Sequence, residues 1–176
     1  FAISGDGRSD VTSAVQQAID ELADKGGTLK FNPGVYRITK EIIVHSNIRI
    51  AGAGYDRTTI YQATRNTASL VIKHATENVE ISGIKFTGEG RFDHSTAGHA
   101  TISIVPWKFS PTDHTELIHA SKILIHDCYF NSPSITGISS NRVNELYIYN
   151  NYLKDVGEHG IYISGGSRNV FIKDNY

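Results

Sequence analysis

The chain has 176 residues, enough for one domain with a sizeable core, and carries 17 Lys and Arg against 18 Asp and Glu, a formal net charge of -1. That balance excludes the basic stripe of a nucleic-acid binder and the acidic run of a solvating tail. Apolar runs are only a few residues long, too short for a membrane-spanning helix, and a lone cysteine, Cys128, rules out an intrachain disulfide.

The first element is a helix at about residues 11–24. Val11, Ala14, Val15, Ala18, Ile19 and Leu22 recur at three- and four-residue steps, which lines one face with apolar side chains. Asp10 stands where a capping carboxylate belongs, and Gly26 and Gly27 where a helix stops. After Gly27 the period changes to that of strands. Leu29–Phe31, Val35–Ile38, Ile42–Val44 and Ile48–Ile50 are short runs between turn residues.

Further on, the chain repeats itself. The segments 78–84, 122–128, 145–151 and 169–175 align without gaps, and 47–53 aligns more loosely. Ile123 and Leu146 are 23 residues apart, and Leu146 and Val170 are 24 apart. A second column, Gly137-Ile138 over Gly160-Ile161, has the same spacing of 23. The frame of a leucine-rich repeat is absent. Each repeat holds two or three strand-like runs, which is one coil of a β-solenoid. Alternation turns Val79 and Ile81, Ile123 and Ile125, Leu146 and Ile148, and Val170 and Ile172 inward. The next inward column is Ile84, Cys128, Asn151 and Asn175, which predicts a short Asn ladder at a turn and a buried, unreactive Cys128. One stretch, Glu89–Glu116, interrupts the repeat. Within it Thr101–Ile104 keeps one strand of an extra coil, leaving Val105–Thr115 as a protruding loop.

The opening Gly5-Asp6-Gly7, the Gln17-Ala18-Ile19 helix, Gly26-Gly27 and Pro33-Gly34-Val35-Tyr36 together resemble the opening motif of the pectate-lyase-like superfamily. Val11 stands where that motif has a second Asp. The resemblance implies an all-β fold, a right-handed parallel β-helix forming a single domain over 1–176, with the N-terminal helix capping the open end of the solenoid. It also implies further coils beyond residue 176. Its functional expectation is a glycoside hydrolase or polysaccharide lyase acting on a polymeric glycan. The alternative is a non-catalytic glycan-binding tailspike or adhesion module, a homotrimer in the tailspike case. Such a protein would be secreted or belong to a phage tail, with a polysaccharide as partner and neither nucleic acid nor membrane. No cofactor is implied, except calcium in the event of a lyase.

Two stretches could carry chemistry. Asp155-Val156-Gly157-Glu158-His159-Gly160-Ile161 resembles the polygalacturonase stretch in which an Asp before Gly is catalytic, and His159 occupies that position here. Glu158, His159 and Asp155 are the catalytic candidates, with Tyr162 pointing outward beside them to meet substrate. An acid, an imidazole and a phenol at one strand mouth suit proton transfer to or from a sugar. The Glu89–Glu116 stretch supplies Trp107, Asp113, His114 and Arg91 as substrate-binding candidates, since an aromatic face stacks on sugar rings. No metal ligand set is apparent. His45, His74, His119 and His126 fall at turns or outward positions and read as surface residues.

Overall fold

A computed structural model describes residues 3–89, 100–105, 119–131 and 135–176. Strand β1 (Asp6–Asp10) leads into helix α1 (Thr12–Leu22). Three strands then recur coil after coil. They are β2 (Gly27–Lys30), β3 (Gly34–Ile38) and β4 (Ile42–Val44), then β5 (Ile48–Ala51), β6 (Thr58–Gln62) and β7 (Leu70–Ile72). The third coil has β8 (Glu77–Ser82), β9 (Lys85–Gly88) and β10 (Ala100–Ile104), and the fourth β11 (Ala120–His126), β12 (Tyr129–Asn131) and β13 (Thr136–Asn141). Next come β14 (Val143–Tyr149), β15 (Tyr152–Leu153) and β16 (Ile161–Ser164), and β17 (Arg168–Lys173) begins another turn. Every pairing is parallel. Sheet I runs β2-β5-β8-β11-β14-β17, sheet II β1-β3-β6-β9-β12-β15, and sheet III β4-β7-β10-β13-β16. The fold is a right-handed parallel β-helix. A strand stands at Thr101–Ile104 as expected, but it is β10, the sheet III strand of the third coil, and not part of an extra coil: β8 pairs directly with β11 and β9 with β12, so Val79 and Ile123 are on adjacent coils.

The expected inward columns hold. Ile123 sits opposite both Val79 and Leu146, Leu146 opposite Val170, and Ile138 opposite Ile161. Val79, Ile81, Ile123, Ile125, Leu146 and Ile148 are buried in one core with Phe86 and Phe130, whose rings stack at 5.3 Å. Ile172, in the last described coil, is paired on one side among the described residues, with Ile148, and is 49% exposed.

Two regularities explain how the chain turns. From sheet I to sheet II it uses two residues, 83–84, 127–128 and 150–151, and residues 174–175 stand at the same place after β17. The first of each pair (Gly83, Asp127, Asn150, Asp174) has positive φ, and the second points inward. The predicted Asn ladder lies there. The Asn151 amide donates to the Ile125 carbonyl and to Asn175 Oδ1, both at 2.9 Å, and its Oδ1 accepts the Cys128 N–H at 3.0 Å. Burial pushes the Cys128 thiol up to about 12, so it is a packing group and not a nucleophile. The second regularity favours Asn but is not confined to it. Asn47, Asn78, Lys122, Glu145 and Asn169 all have positive φ at the same point of successive coils, just as sheet I begins.

Helix α1 closes the core by resting on β2 and β4 with Val15, Ala18 and Ile19 buried. It is shorter than expected at both ends, and Ala14 faces solvent. The position before its first residue is Val11, which cannot cap. Asp10 acts from one residue earlier: its carboxylate accepts from the Thr12 N–H at 3.0 Å and from the hydroxyls of Thr12 and Thr39. Those bonds lower the Asp10 pKa, with the Thr12 hydroxyl first among the causes.

Candidate functional site

The best-formed group of candidate residues lies where the chain enters β16. Backbone bonds pin this turn to the previous coil. Gly157 N–H donates to Ile135 at 2.9 Å, Gly137 N–H to His159 at 2.9 Å, and Ile138 N–H to Gly160 at 3.0 Å. A side chain at 137 would place its Cβ 2.6 Å from the Gly160 carbonyl, so the glycine is what lets the two coils approach. Val156 packs against the core and anchors the loop from below. Glu158 and His159 are thereby left on the outside, and alternation along β16 directs Tyr162 outward as expected.

There the His159 and Tyr162 rings stack at 5.2 Å with their planes 15° apart. Glu158 Oε1 lies 3.7 Å from His159 Nε2, an ion-pair distance too long for a hydrogen bond. The His159 and Glu158 side chains are 49% and 38% exposed, and Tyr162 is 46% exposed. The structure therefore brings together three of the four residues expected here. Asp155, in a left-handed conformation at the start of the turn, is exposed, and no hydrogen bond or ion pair joins it to the other three. Trp107, Asp113, His114 and Arg91 lie outside the described residues.

A second cluster escaped the sequence reading. On the outer face of sheet I, Arg49 Nε meets Glu80 Oε1 at 3.0 Å. His126 is held between Glu80, 3.2 Å from Nε2, and Asp127, 2.6 Å from Nδ1. Its ring stacks on Tyr149 at 4.8 Å, and Tyr147 stacks on Phe171 at 5.0 Å. Tyr149 titrates above the usual phenol range, chiefly through desolvation and then through the charges of Asp127 and Glu80. Aligned coils could have shown Arg49 opposite Glu80. The approach of His126 to Glu80 is diagonal between coils and invisible to a column alignment. Carboxylates occupy both ring nitrogens of His126, so neither faces an incoming substrate, whereas neither His159 nitrogen has a carboxylate within hydrogen-bond distance.

Among the described residues no group of three or more His, Cys, Asp or Glu side chains is placed to hold a metal ion, so none is assigned to calcium. No described helix is long and apolar enough to cross a membrane.

A family model described as rhamnogalacturonase A/epimerase, pectate lyase-like, matches residues 1–176. Among curated proteins no sequence matches. Among solved structures, the A-module of the Azotobacter vinelandii mannuronan C-5 epimerase AlgE4 superposes with a TM-score of 0.74 at 20% identity, over 99% of this chain and 48% of that one. A Geobacillus virus E2 protein, ORF18, gives 0.56 at 17% identity, over 99% of this chain and 39% of its own. The catalytic domain of a GH87 α-1,3-glucanase in complex with nigerose gives 0.51 at 17% identity, over 92% of this chain and 36% of its own. At these identities the likeness is one of fold, and the chain spans about half the length of the epimerase module.

Proposed function

This chain belongs to the rhamnogalacturonase A/epimerase, pectate lyase-like family, and from that membership we propose a polysaccharide-degrading enzyme whose reacting groups are Glu158, His159 and Tyr162 on the outer face of sheet III. The observation that carries the reading is the His159–Tyr162 stack with Glu158 beside it, at the one described strand mouth that joins an acid, an unengaged imidazole and a phenol. Hydrolysis needs two carboxyl groups flanking the bond, about 5 Å apart for retention or about 6.5–9.5 Å for inversion. Only Glu158 stands with the stacked pair, so proton abstraction beside a uronate carboxylate, followed by elimination, fits these groups better. In that reaction His159 takes the proton, the glycosidic C–O bond on the neighbouring carbon breaks, and Glu158 or Tyr162 returns a proton to the departing oxygen.

The assay uses the full natural protein on a panel of plant and bacterial polysaccharides, scored by reducing ends and by absorbance of unsaturated products. Both signals together identify a lyase, and reducing ends alone a hydrolase. Glu158→Gln and His159→Ala are each expected to lower the rate by about 10²–10⁴-fold. Full activity in both would remove the assignment. A second reading rests on exposure. The half-exposed Glu158 and His159 suit a surface that grips a glycan without cleaving it, and polymer binding without product in the same panel would select that reading.

A further inference from the structure

Sheet II carries a cleft that the reacting groups do not use. Where the third, fourth and fifth coils turn from sheet I to sheet II in two residues, the second coil takes six, 52–57, between β5 and β6. The extra residues are held firmly. Gly52 N–H donates to Ser82 at 2.9 Å, Gly54 N–H to Gly83 at 3.1 Å, and both Arg57 and Thr58 N–H groups return to the Gly54 carbonyl at 2.9 and 2.8 Å. The Ala53 N–H donates to Thr58 Oγ1 at 2.9 Å, and the Arg57 guanidinium donates to the Ala53 carbonyl. Gly54 has φ 123°, and a Cβ there would fall 2.6 Å from Asp56 Oδ1, so only glycine allows this loop to set Tyr55 and Asp56 side by side on its outside.

Opposite the loop, Thr59, Lys85 and Tyr129 form one outward row across β6, β9 and β12. The five residues line an open cleft of about 340 Å³. Tyr55 and Tyr129 face each other across it at 6.1 Å with planes 33° apart, an open wedge and not a closed stack. The Lys85 ammonium lies over the Tyr129 ring at 5.3 Å, and Tyr152 backs that ring at 5.1 Å. Tyr55 stays 45% exposed although its loop is rigidly bonded. A phenol fixed in water beside a carboxylate, an ammonium and a hydroxyl matches a pyranose ring. Sugar C–H faces meet the aromatic surface, sugar hydroxyls donate to Asp56, and Lys85 and Thr59 donate to hydroxyl or carboxylate oxygens.

We propose that this cleft is a second saccharide-binding site, separate from the reacting groups, which holds one pyranose unit of a glycan. It rests on the glycan reading above, and its assay uses the assignment of Glu158 only to suppress cleavage. The test is affinity electrophoresis of the full natural protein in gels holding alginate, polygalacturonate or dextran, with cleavage blocked by Glu158→Gln. Retardation by at least one polymer is expected. Tyr55→Ala is expected to weaken it about tenfold, the loss of one aromatic face. Asp56→Asn, nearly isosteric, should weaken it as well, with the parent's melting temperature kept. Loss in Lys85→Gln on the two uronate polymers alone would mark the sugar carboxylate as its partner, and loss on dextran too would mark hydroxyls. With Glu158 restored, Tyr55→Ala should leave turnover of short oligosaccharides unchanged, which separates this site from the reacting one. No retardation by any of the three polymers, or equal retardation of parent, Tyr55→Ala and Asp56→Asn, would overturn the proposal.

Discussion

Ile148 and Tyr149 are neighbours on β14 with opposite fates, the one buried in the core and the other exposed on sheet I. A carboxylate at 148 would enter a dry column between Ile125 and Ile172 with no partner. Ile148→Asp is therefore expected to cost several kcal/mol, at least ~3, in thermal or urea unfolding. Tyr149→Asp should cost less, about 0.5–1.5 kcal/mol for the lost ring contact with His126, with an added penalty from a third carboxylate near Glu80 and Asp127. Equal losses in the two variants would mean that the strand is out of phase. Asp10 belongs to the same scale. Its pKa is lowered in the folded state, so its contribution is present above the unfolded carboxylate range and is lost as pH falls through the folded value. Asp10→Asn should lower stability at neutral pH, and its gap to the parent should close as pH falls through the folded value, so a melting series from neutral to acid checks it.

The element that makes the coils register is the sheet I to sheet II turn. Asn151→Ala would strip the Cys128 N–H of its acceptor and the Ile125 carbonyl of its donor, both in a buried site. The expected loss is about 2–4 kcal/mol, since orphaned buried groups each cost about 1–3 kcal/mol. Asn175→Ala, in the last described coil and only partly buried, should cost less, and the reverse order in chemical denaturation would contradict the ladder. This turn was legible in the sequence because two Asn fell at one repeat position, just as the inward Ile, Leu and Val columns were legible from their alternation. The positive-φ column at the start of sheet I was legible only in part, because Asn47, Asn78 and Asn169 tolerate that conformation while Lys122 and Glu145 give no sign of it. Stacking imposes that conformation on whatever residue stands there. At the site, the strand mouth with Glu158, His159 and Tyr162 could be read from one segment, since the three are close in sequence. The His126 cluster and the Tyr55–Lys85–Tyr129 cleft each join coils at a diagonal or through a loop of unusual length, and pattern matching along one column has no access to either.

At the scale of the whole molecule, a solenoid shares its core with neighbours on both sides, and its first coil has a neighbour on one side only. Helix α1 supplies the missing side. Ile19, with no exposed surface, is the centre of that contact, flanked by Val15 and Ala18 over β2 and β4. Ile19→Asp would set an unpaired carboxylate against the core and lift the helix from the sheet ends. The uncovered strand backbones then become a template for a second chain, the hazard that any exposed parallel edge carries. Two effects are expected together: a loss of about 3–5 kcal/mol in stability, the range for a charge buried without a partner, and concentration-dependent association in sedimentation velocity. Gln17→Asp, on the exposed face of the same helix, is the control and should remain close to the parent in both measurements. If Ile19→Asp instead melted as a monomer at the parent's temperature, the helix would be an ornament of the first coil and not its cap, and the core would have to end at β2 unaided.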